Sequence, residues 1–207
     1  MKRCFIFGAL PVEKMPVAPA EDDLVIAADK GYEVALSLGI TPDIVVGDFD
    51  SLGKVPDAEN LIQLNVRKDD TDMEHAVGVA LEKGCDDLIV YGAVGGKLDH
   101  TLGNIAVAER VALAGGKILF CGDDSSFTVI HNSFCAFPAR SGGRISVFSL
   151  KEISHGVTIK GLSYEADKID LPRAVTRGVS NEFAGQPSRI SVTDGTLLIV
   201  FDTQEYM

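Results

Sequence analysis

A buried strand leads directly into two carboxylates in the stretch Ile44-Val45-Val46-Gly47-Asp48-Phe49-Asp50. Three consecutive apolar β-branched residues predict a strand that is covered on both faces, as in a parallel sheet. If the strand geometry continues, Asp48 and Asp50 leave the same face with Cα atoms roughly 6.6–7 Å apart. Two carboxylates at that spacing are within reach of one hard cation, so we expect a Mg²⁺ site here. An ordinary turn, which Asp, Gly and Ser also favour, is the alternative.

The first part of the chain alternates strand-like and helix-like segments. The predicted strands are Cys4–Gly8, Leu24–Ala28, Ile44–Gly47, Leu61–Asn65, Leu88–Gly92 and Lys117–Cys121. Helices are predicted over Gly31–Leu38, Thr71–Lys83 and Asp99–Ala114, the last with Leu102, Ile105, Ala106 and Leu113 facing the core. This alternation indicates an α/β fold with a mostly parallel sheet and flanking helices.

Short strands separated by glycine and polar turns replace the helices after Cys121. The clearest are Phe127–His131, Arg144–Leu150, Val157–Leu162, Ser188–Val192 and Leu197–Asp202, with an Asp194-Gly195 hairpin turn between the last two. We therefore expect an α/β domain over residues 1–123 and an antiparallel β domain over residues 124–207.

Composition and charge exclude several classes of protein. The 207 residues carry 19 basic and 30 acidic side chains, and the net charge of −11 repels the backbone of a nucleic acid. No apolar run approaches the length of about 20 residues that spans a bilayer. We therefore expect a globular protein that has neither nucleic acid nor membrane as a partner.

Two further segments carry polar residues suited to phosphate chemistry. The cluster Lys68-Asp69-Asp70-Thr71-Asp72 precedes the second predicted helix, and the glycine turn Gly92–Lys97 precedes the third. Acidic side chains hold metal ions, while backbone amides and a lysine at a helix amino terminus hold phosphate. Each segment also has an ordinary explanation, because Thr71 to Glu74 matches a capping box and Asp99-His100 can cap the next helix. Together with the two carboxylates after the strand, they indicate phosphoryl-group chemistry on a nucleotide.

The order and spacing of these segments resemble the thiamine pyrophosphokinase (thiamine diphosphokinase) family over nearly the whole chain. The resemblance rests on the runs Ala28–Gly31, Thr41–Asp43, Gly47–Ser51, Lys68–Asp72, Gly95–His100 with Asn104, Gly161–Tyr164 and Ser180–Glu182. It implies a transferase, a kinase of thiamine diphosphate biosynthesis, with an amino-terminal α/β catalytic domain and a carboxy-terminal antiparallel β-sandwich domain that binds thiamine. It also implies a homodimer whose thiamine pocket lies at the subunit boundary. The four cysteines are widely scattered without CxxC spacing, which is typical of free thiols in a reducing compartment, so we expect a cytoplasmic protein.

The resemblance also implies roles for individual residues. Asp48, Asp50 and Asp72 would hold Mg²⁺ on the phosphates of ATP, and Asp29 would lie near the reacting hydroxyl of thiamine. The residues implied to bind ATP are Lys68, Thr71, Gly95, Gly96, Lys97, Asp99 and His100. Those implied to bind thiamine are Tyr164, which would stack on a ring, and Ser180 and Asn181, which would hydrogen-bond the aminopyrimidine. Lys97 is a departure, because many members of the family carry arginine there and lysine cannot form a bidentate pair with phosphate.

The implied reaction moves the pyrophosphoryl group of ATP to the hydroxyethyl oxygen of thiamine and releases AMP. Two other hypotheses stay open on the sequence. A metal-dependent phosphoesterase could use the dispersed aspartates with Asp99-His100, although no His-x-His or Asp-x-His group accompanies them. A non-catalytic module that binds thiamine or a nucleotide would keep Tyr164, Ser180 and Asn181 but make no use of the aspartates.

Overall fold

Strands dominate the part of the chain that the computed structural model describes, which is residues 2–49, 58, 60–65 and 70–203. The strands are β1 (Arg3–Phe7), β2 (Leu24–Ala28), β3 (Ile44–Gly47), β4 (Leu61–Gln63), β5 (Asp87–Tyr91), β6 (Lys117–Cys121), β7 (Ser125–His131), β8 (Phe134–Phe137), β9 (Arg144–Ser149), β10 (Ile153–Lys160), β11 (Ala166–Pro172), β12 (Asn181–Glu182), β13 (Ser188–Ser191) and β14 (Thr196–Asp202). The helices are α1 (Gly31–Ser37), α2 (Asp72–Glu82) and α3 (Leu98–Leu113). Among the described helices, none has the length and apolar character needed to cross a membrane.

The first six strands form the parallel half of a ten-stranded sheet. Their order is β6-β5-β1-β2-β3-β4, and each neighbouring pair runs parallel. The order changes direction between β1 and β5, because later strands are added first on one side and then on the other. In open parallel sheets, ligands bind at the carboxyl ends of the strands beside such a switch point. The predicted α/β class is confirmed for this half.

The ten-stranded sheet continues into the carboxy-terminal half through a hairpin. Strands β6 and β7 pair antiparallel across a turn in which the Gly122 N–H donates to the Ser125 carbonyl oxygen at 3.2 Å. Strands β14, β9 and β12 extend the sheet, and a four-stranded antiparallel sheet in the order β11-β10-β13-β8 packs against this end. The predicted antiparallel β-sandwich is therefore confirmed, while the division into domains at residue 123 stays a prediction.

The predicted hairpin at Asp194-Gly195 is wrong. Strand β13 pairs with β10 and β8, whereas β14 pairs with β7 and β9, so the turn connects the two sheets. A Cβ on Gly195 would lie 2.5 Å from the Oγ atom of Ser154, which shows how closely the turn packs against β10. The Asp-Gly pair marked the turn correctly, but a turn signal does not specify which strands pair.

Helix α3 presents a different face to the sheet from the predicted one. The structure buries Asn104, Val107, Ala108, Val111 and Ala112. By contrast, Leu102 is 57% exposed, Leu113 is 48% exposed, Ala106 is exposed and Ile105 is only partly buried. The helix has apolar residues on two sides, so periodicity alone could not select the inner one. The rotation is fixed by a buried hydrogen bond, in which Asn104 Nδ2 donates to the carbonyl oxygen of Ala93 at 2.7 Å.

Candidate active site

A cavity of about 390 Å³ opens at the carboxyl ends of β1, β2 and β5. Its wall contains Gly8, Ala9, Leu10, Ala28, Asp29, Asp70, Thr71, Asp72, Met73, Gly92, Ala93, Gly95, Lys97, His100 and Asn104. We call it the strand-end cavity. It lies where the strand order changes direction, which is the usual ligand position in an open parallel sheet.

Glycines allow the strand ends to approach one another closely. A Cβ on Gly8 would lie 2.6 Å from the carbonyl oxygen of Gly92, and one on Gly31 would lie 1.8 Å from the carbonyl oxygen of Phe7. The Leu10 N–H donates to the Gly92 carbonyl oxygen at 2.9 Å, which joins the segments after β1 and β5. A larger residue at Gly8 or Gly31 would force these backbones apart and change the shape of the cavity.

Asp29 and Asp48 follow neighbouring parallel strands. Ala28 of β2 lies opposite Val46 of β3, so both aspartates emerge at the same edge of the sheet. Asp29 has a φ of 49°, a left-handed conformation that aspartate tolerates better than most residues, and its N–H donates to the Val46 carbonyl oxygen at 2.8 Å. Asp29 lines the strand-end cavity, whereas Asp48 is not among the described residues of its wall.

The start of α2 brings the acidic cluster to the cavity. Asp70 and Asp72 both line it. Thr71 also lines it and caps the helix, because its Oγ1 atom accepts the N–H of Glu74 at 3.1 Å. The threonine cap predicted from the sequence is thus confirmed, but the Glu74 carboxylate pairs with Arg110 of α3. The same segment therefore stabilises a helix and presents carboxylates to the cavity.

Carboxylate oxygens are ligands that Mg²⁺ prefers, so the chemistry of this wall fits the ion. Within residues 2–49, 58, 60–65 and 70–203, no group of three or more His, Cys, Asp or Glu side chains is placed to hold a metal. The predicted ligand Asp50 and the predicted nucleotide-binding residue Lys68 lie outside the described residues. The site formed by Asp48, Asp50 and Asp72 therefore stays a prediction.

The glycine turn leads into the amino terminus of α3. Gly95 and Gly96 have φ angles of 97° and 64°, a region that favours glycine. Lys97 follows them, immediately before the helix, and its side chain makes no capping hydrogen bond. N–H groups and the helix dipole at this end attract an anion, and Lys97 adds a positive charge at the cavity wall.

The remaining predicted nucleotide-binding residues divide into two groups. His100 lines the cavity, whereas Gly96 and Asp99 are not among the described residues of the wall. The Asp99 carboxylate accepts the N–H of His100 at 3.0 Å at the start of α3. Nine wall residues were not predicted as site residues: Gly8, Ala9, Leu10, Ala28, Asp70, Met73, Gly92, Ala93 and Asn104. Gly8 has a sequence signal, since it ends the first predicted strand, but Leu10 has none.

Tyr164 and Asn181 are joined in the carboxy-terminal half. The Oδ1 atom of Asn181 accepts the N–H of Tyr164 at 2.9 Å, and its Nδ2 atom donates to the Tyr164 carbonyl oxygen at 2.7 Å. Oδ1 also accepts the N–H of Glu182 at 2.9 Å. Asn181 is 6% exposed and Tyr164 is 72% exposed. A buried amide therefore holds the backbone of an exposed aromatic residue.

The turn that carries Tyr164 is also held on its other side. The Glu165 carboxylate accepts the N–H of Gly161 at 2.8 Å and a hydrogen bond from Lys160 at 3.3 Å. These two contacts, the Gly161 N–H first, hold the pKa of Glu165 below its usual value. Ser180 has a φ of 58°, and its N–H donates to Ser146 Oγ at 3.0 Å.

The structure does not bring all predicted site residues to one cavity. The residues predicted to bind thiamine, Tyr164, Ser180 and Asn181, are not among the described residues of the strand-end cavity. The predicted site residues that do line this cavity are Asp29, Thr71, Asp72, Gly95, Lys97 and His100.

Two family models match the chain and together span most of it. The catalytic domain of thiamin pyrophosphokinase matches residues 18–120, and the vitamin B1 binding domain of thiamin pyrophosphokinase matches residues 137–197. The chain belongs to the thiamine pyrophosphokinase family. Membership of this family confirms the predicted enzyme class, thiamine diphosphokinase, and thiamine diphosphate as the compound that it forms.

Individual thiamine pyrophosphokinases are similar over nearly their whole length. The thiamine pyrophosphokinase of Bacillus subtilis (strain 168) is 29% identical over 192 residues, which are 88% of this chain and 89% of that protein. A crystal structure of thiamine pyrophosphokinase from Bacillus subtilis has a TM-score of 0.85 at 26% identity and covers 98% of this chain and 100% of its own. For thiamin pyrophosphokinase from Geobacillus thermodenitrificans, the TM-score is 0.84 at 24% identity, with 98% of each chain covered, which supports the fold.

Proposed function

We propose that the chain transfers the pyrophosphoryl group of ATP to the hydroxyethyl oxygen of thiamine in a Mg²⁺-dependent reaction that releases AMP. The observation that carries this proposal is the strand-end cavity, where aspartates from two separate segments share a wall with Lys97 and the start of α3. Carboxylates suit the metal, and the lysine and helix terminus suit the phosphates. A metal–nucleotide complex needs both kinds of group within one cavity.

The predicted site residues have distinct tasks in this proposal. Asp48, Asp50 and Asp72 would hold Mg²⁺, which when bound neutralises phosphate charge as the transfer proceeds. Lys97 and the backbone amides at the start of α3 bind phosphate oxygens and orient the β-phosphorus toward the incoming hydroxyl. Asp29 lines the same cavity and accepts the proton of that hydroxyl. Lys68, Thr71, Gly95, Gly96, Asp99 and His100 complete the nucleotide site.

Tyr164, Ser180 and Asn181 provide the thiamine side of the site. An exposed aromatic ring suits a flat, cationic ligand, because stacking and cation–π attraction act together. Asn181 holds the Tyr164 backbone through Oδ1 and Nδ2, and the second Nδ2 hydrogen remains for the aminopyrimidine. Ser180 adds a hydroxyl beside it.

We also propose that the enzyme is a cytoplasmic homodimer in which Tyr164 of one subunit meets the strand-end cavity of the other. Tyr164 is 72% exposed, and Leu98, at the start of α3 beside the cavity, is 73% exposed. Contact between subunits would remove both from water, which is favourable for apolar surface.

The reaction is tested by measuring AMP after incubation with ATP and Mg²⁺, with and without thiamine. We expect AMP and thiamine diphosphate in equal amounts, and neither product when thiamine is omitted. Release of inorganic phosphate without thiamine would instead support a phosphoesterase. Thiamine binding without AMP formation would support a non-catalytic module.

The proposal that two subunits together form each active site is tested by mixing two impaired variants, Asp72→Asn and Tyr164→Ala, under conditions that exchange subunits. A mixed dimer then contains one site in which both halves are native, so we expect activity well above that of either variant alone. Activity that stays at the level of the separate variants would place both halves of the site in one subunit. Light scattering provides the control that the variants form dimers.

A further inference from the structure

A second cavity lies between β8 and the strands β6 and β7, and it shares no described wall residue with the strand-end cavity. Its volume is about 610 Å³, within the range of about 300–1,000 Å³ that is usual for small-molecule sites. Gly115, Gly116 and Lys117 line it, which places it at the amino ends of the parallel strands, opposite the proposed active site. We call it the edge-strand cavity, because β8 is one of the two edge strands of the four-stranded sheet.

The wall of the edge-strand cavity is mainly apolar. Leu119, Ile130, Phe134, Phe137 and Phe201 contribute to it. Phe134 is 52% exposed although it is a large apolar residue on a strand. An apolar ligand in this cavity would remove such surface from water, so the hydrocarbon part of a ligand is favoured here.

Arg140 is a buried cation at this cavity. It is 3% exposed and lies among the rings of Phe137, Phe183 and Phe201, with its Cζ atom 5.2, 4.7 and 5.2 Å from their centroids. Its Nη1 atom donates to the Asp202 carbonyl oxygen at 3.3 Å, but its Nε atom has no hydrogen-bond partner among the described residues. Across the described parts of the chain, no carboxylate forms an ion pair with it. A buried charge without a counter-ion is costly, and an anion would offset that cost.

The electrostatic environment of the cavity is positive, although the chain as a whole is acidic. Burial raises the pKa of the Cys135 thiol to about 11, while the positive charges of Arg140 and then Lys117 act in the opposite direction. Both cations therefore act at one place on the wall. Asp87 is the carboxylate among the described wall residues, and it already contacts Arg3 at 3.4 Å.

We propose that the edge-strand cavity is a second ligand site that takes a small apolar carboxylate, with its hydrocarbon part against the phenylalanines and its charge attracted by Arg140 and Lys117. The charge complementarity selects an anion, and the apolar wall selects a hydrocarbon body rather than inorganic phosphate. A purely structural role for Arg140, held by its three aromatic rings, is the alternative that the test must separate.

The full chain is titrated calorimetrically with octanoate and, as a matched neutral probe, with 1-octanol. We expect octanoate to bind at least about tenfold more tightly, because hydrogen bonds to a buried charge are strong. Equal affinity for the two probes, or no binding of octanoate, would overturn the proposal.

Two variants test the charges separately. Arg140→Met should weaken octanoate binding at least about tenfold, whereas Arg144→Met, at an exposed arginine four positions later, should leave it unchanged. Because Arg140→Met removes a buried group and can impair folding, Lys117→Glu provides an independent test at an exposed position. It should lower octanoate affinity by about threefold or more while leaving 1-octanol binding unchanged. Unchanged octanoate affinity in folded Lys117→Glu would overturn the charge argument.

The same titrations distinguish a ligand site from a surface that pairs with a second copy of the chain. We expect octanoate affinity to be independent of protein concentration. Affinity that falls as the protein is concentrated would mean that another subunit covers the cavity, and this result would also overturn the proposal.

Discussion

The two halves of the proposed active site are built in different ways. On the phosphate side, Asp29, Asp72 and Lys97 come from separate segments, and the parallel sheet brings them to one edge. On the thiamine side, one turn carries Tyr164, and a single buried amide, that of Asn181, holds its backbone. The phosphate side thus depends on sheet topology, whereas the thiamine side depends on a few local hydrogen bonds.

The two halves of the chain also differ in net charge. Residues 1–123 contain 21 acidic and 11 basic side chains, whereas residues 124–207 contain nine and eight. An excess of carboxylates would repel a free nucleotide, so the acidic half suits a substrate that arrives with a metal ion. The nearly neutral half suits an aromatic vitamin.

Removing a carboxylate from the phosphate side should have the largest effect. We expect Asp72→Asn to lower kcat at least about a hundredfold, because a carboxylate proposed to hold the charge-neutralising Mg²⁺ is lost. Asp22→Asn, at an exposed aspartate outside the strand-end cavity, is the control and should keep normal activity. AMP formation near the native rate by folded Asp72→Asn would contradict the proposed division of tasks.

Removing the aromatic ring should affect only the thiamine side. Tyr164→Ala should raise the KM for thiamine about tenfold, since stacking and cation–π contacts are lost. The KM for ATP should stay the same, and Tyr164→Phe, which keeps the ring, should behave almost like the native enzyme. Equal increases in both KM values would mean that the two sides are not separate.

Asn181 offers a sharper test of the local character of the thiamine side. If most of its contribution passes through Tyr164, Asn181→Ala should raise the KM for thiamine severalfold in the native background but much less in Tyr164→Ala. A double-mutant cycle on thiamine KM measures this coupling. Additive effects would instead show that Asn181 acts on thiamine independently.

The smallest effect is expected at Thr71, where the helix cap coincides with the proposed nucleotide site. Thr71→Ala should lower the free energy of unfolding by about 1 kcal/mol, because the Glu74 N–H loses its acceptor. Thr71→Ser keeps the hydroxyl and should restore most of that stability in urea unfolding. Unchanged stability in Thr71→Ala would show that the Thr71 cap does not stabilise the protein.

The parallel strands could be predicted well because both their faces are buried. Continuous apolar runs marked β1, β2, β3 and β5, and glycines marked the ends of β1, β3 and β5. The strand order could not be predicted, since nothing in a run of apolar residues specifies its neighbour. The edge strand β11 was missed because most of its residues are at least partly exposed, so it lacks an apolar pattern.

Site residues, like strands, could be predicted only where a local sequence pattern marks them. Aspartates and glycines after predicted strands could be assigned, because parallel strands end at one edge of the sheet. The hydrogen bonds that hold the Tyr164 backbone could not be predicted, since they depend on a long-range contact with a side chain 17 residues away. The wrong inner face predicted for α3 has a similar cause, because the buried Asn104 that fixes its rotation is polar.

The central claim, that the phosphate side transfers a pyrophosphoryl group, is tested most directly with ATP that carries a radioactive phosphorus at the γ position. With Mg²⁺ and thiamine present, we predict that the label appears in thiamine diphosphate, that AMP is unlabelled and equimolar, and that Asp72→Asn abolishes both. Label in inorganic phosphate, or ADP as the nucleotide product, would contradict the account.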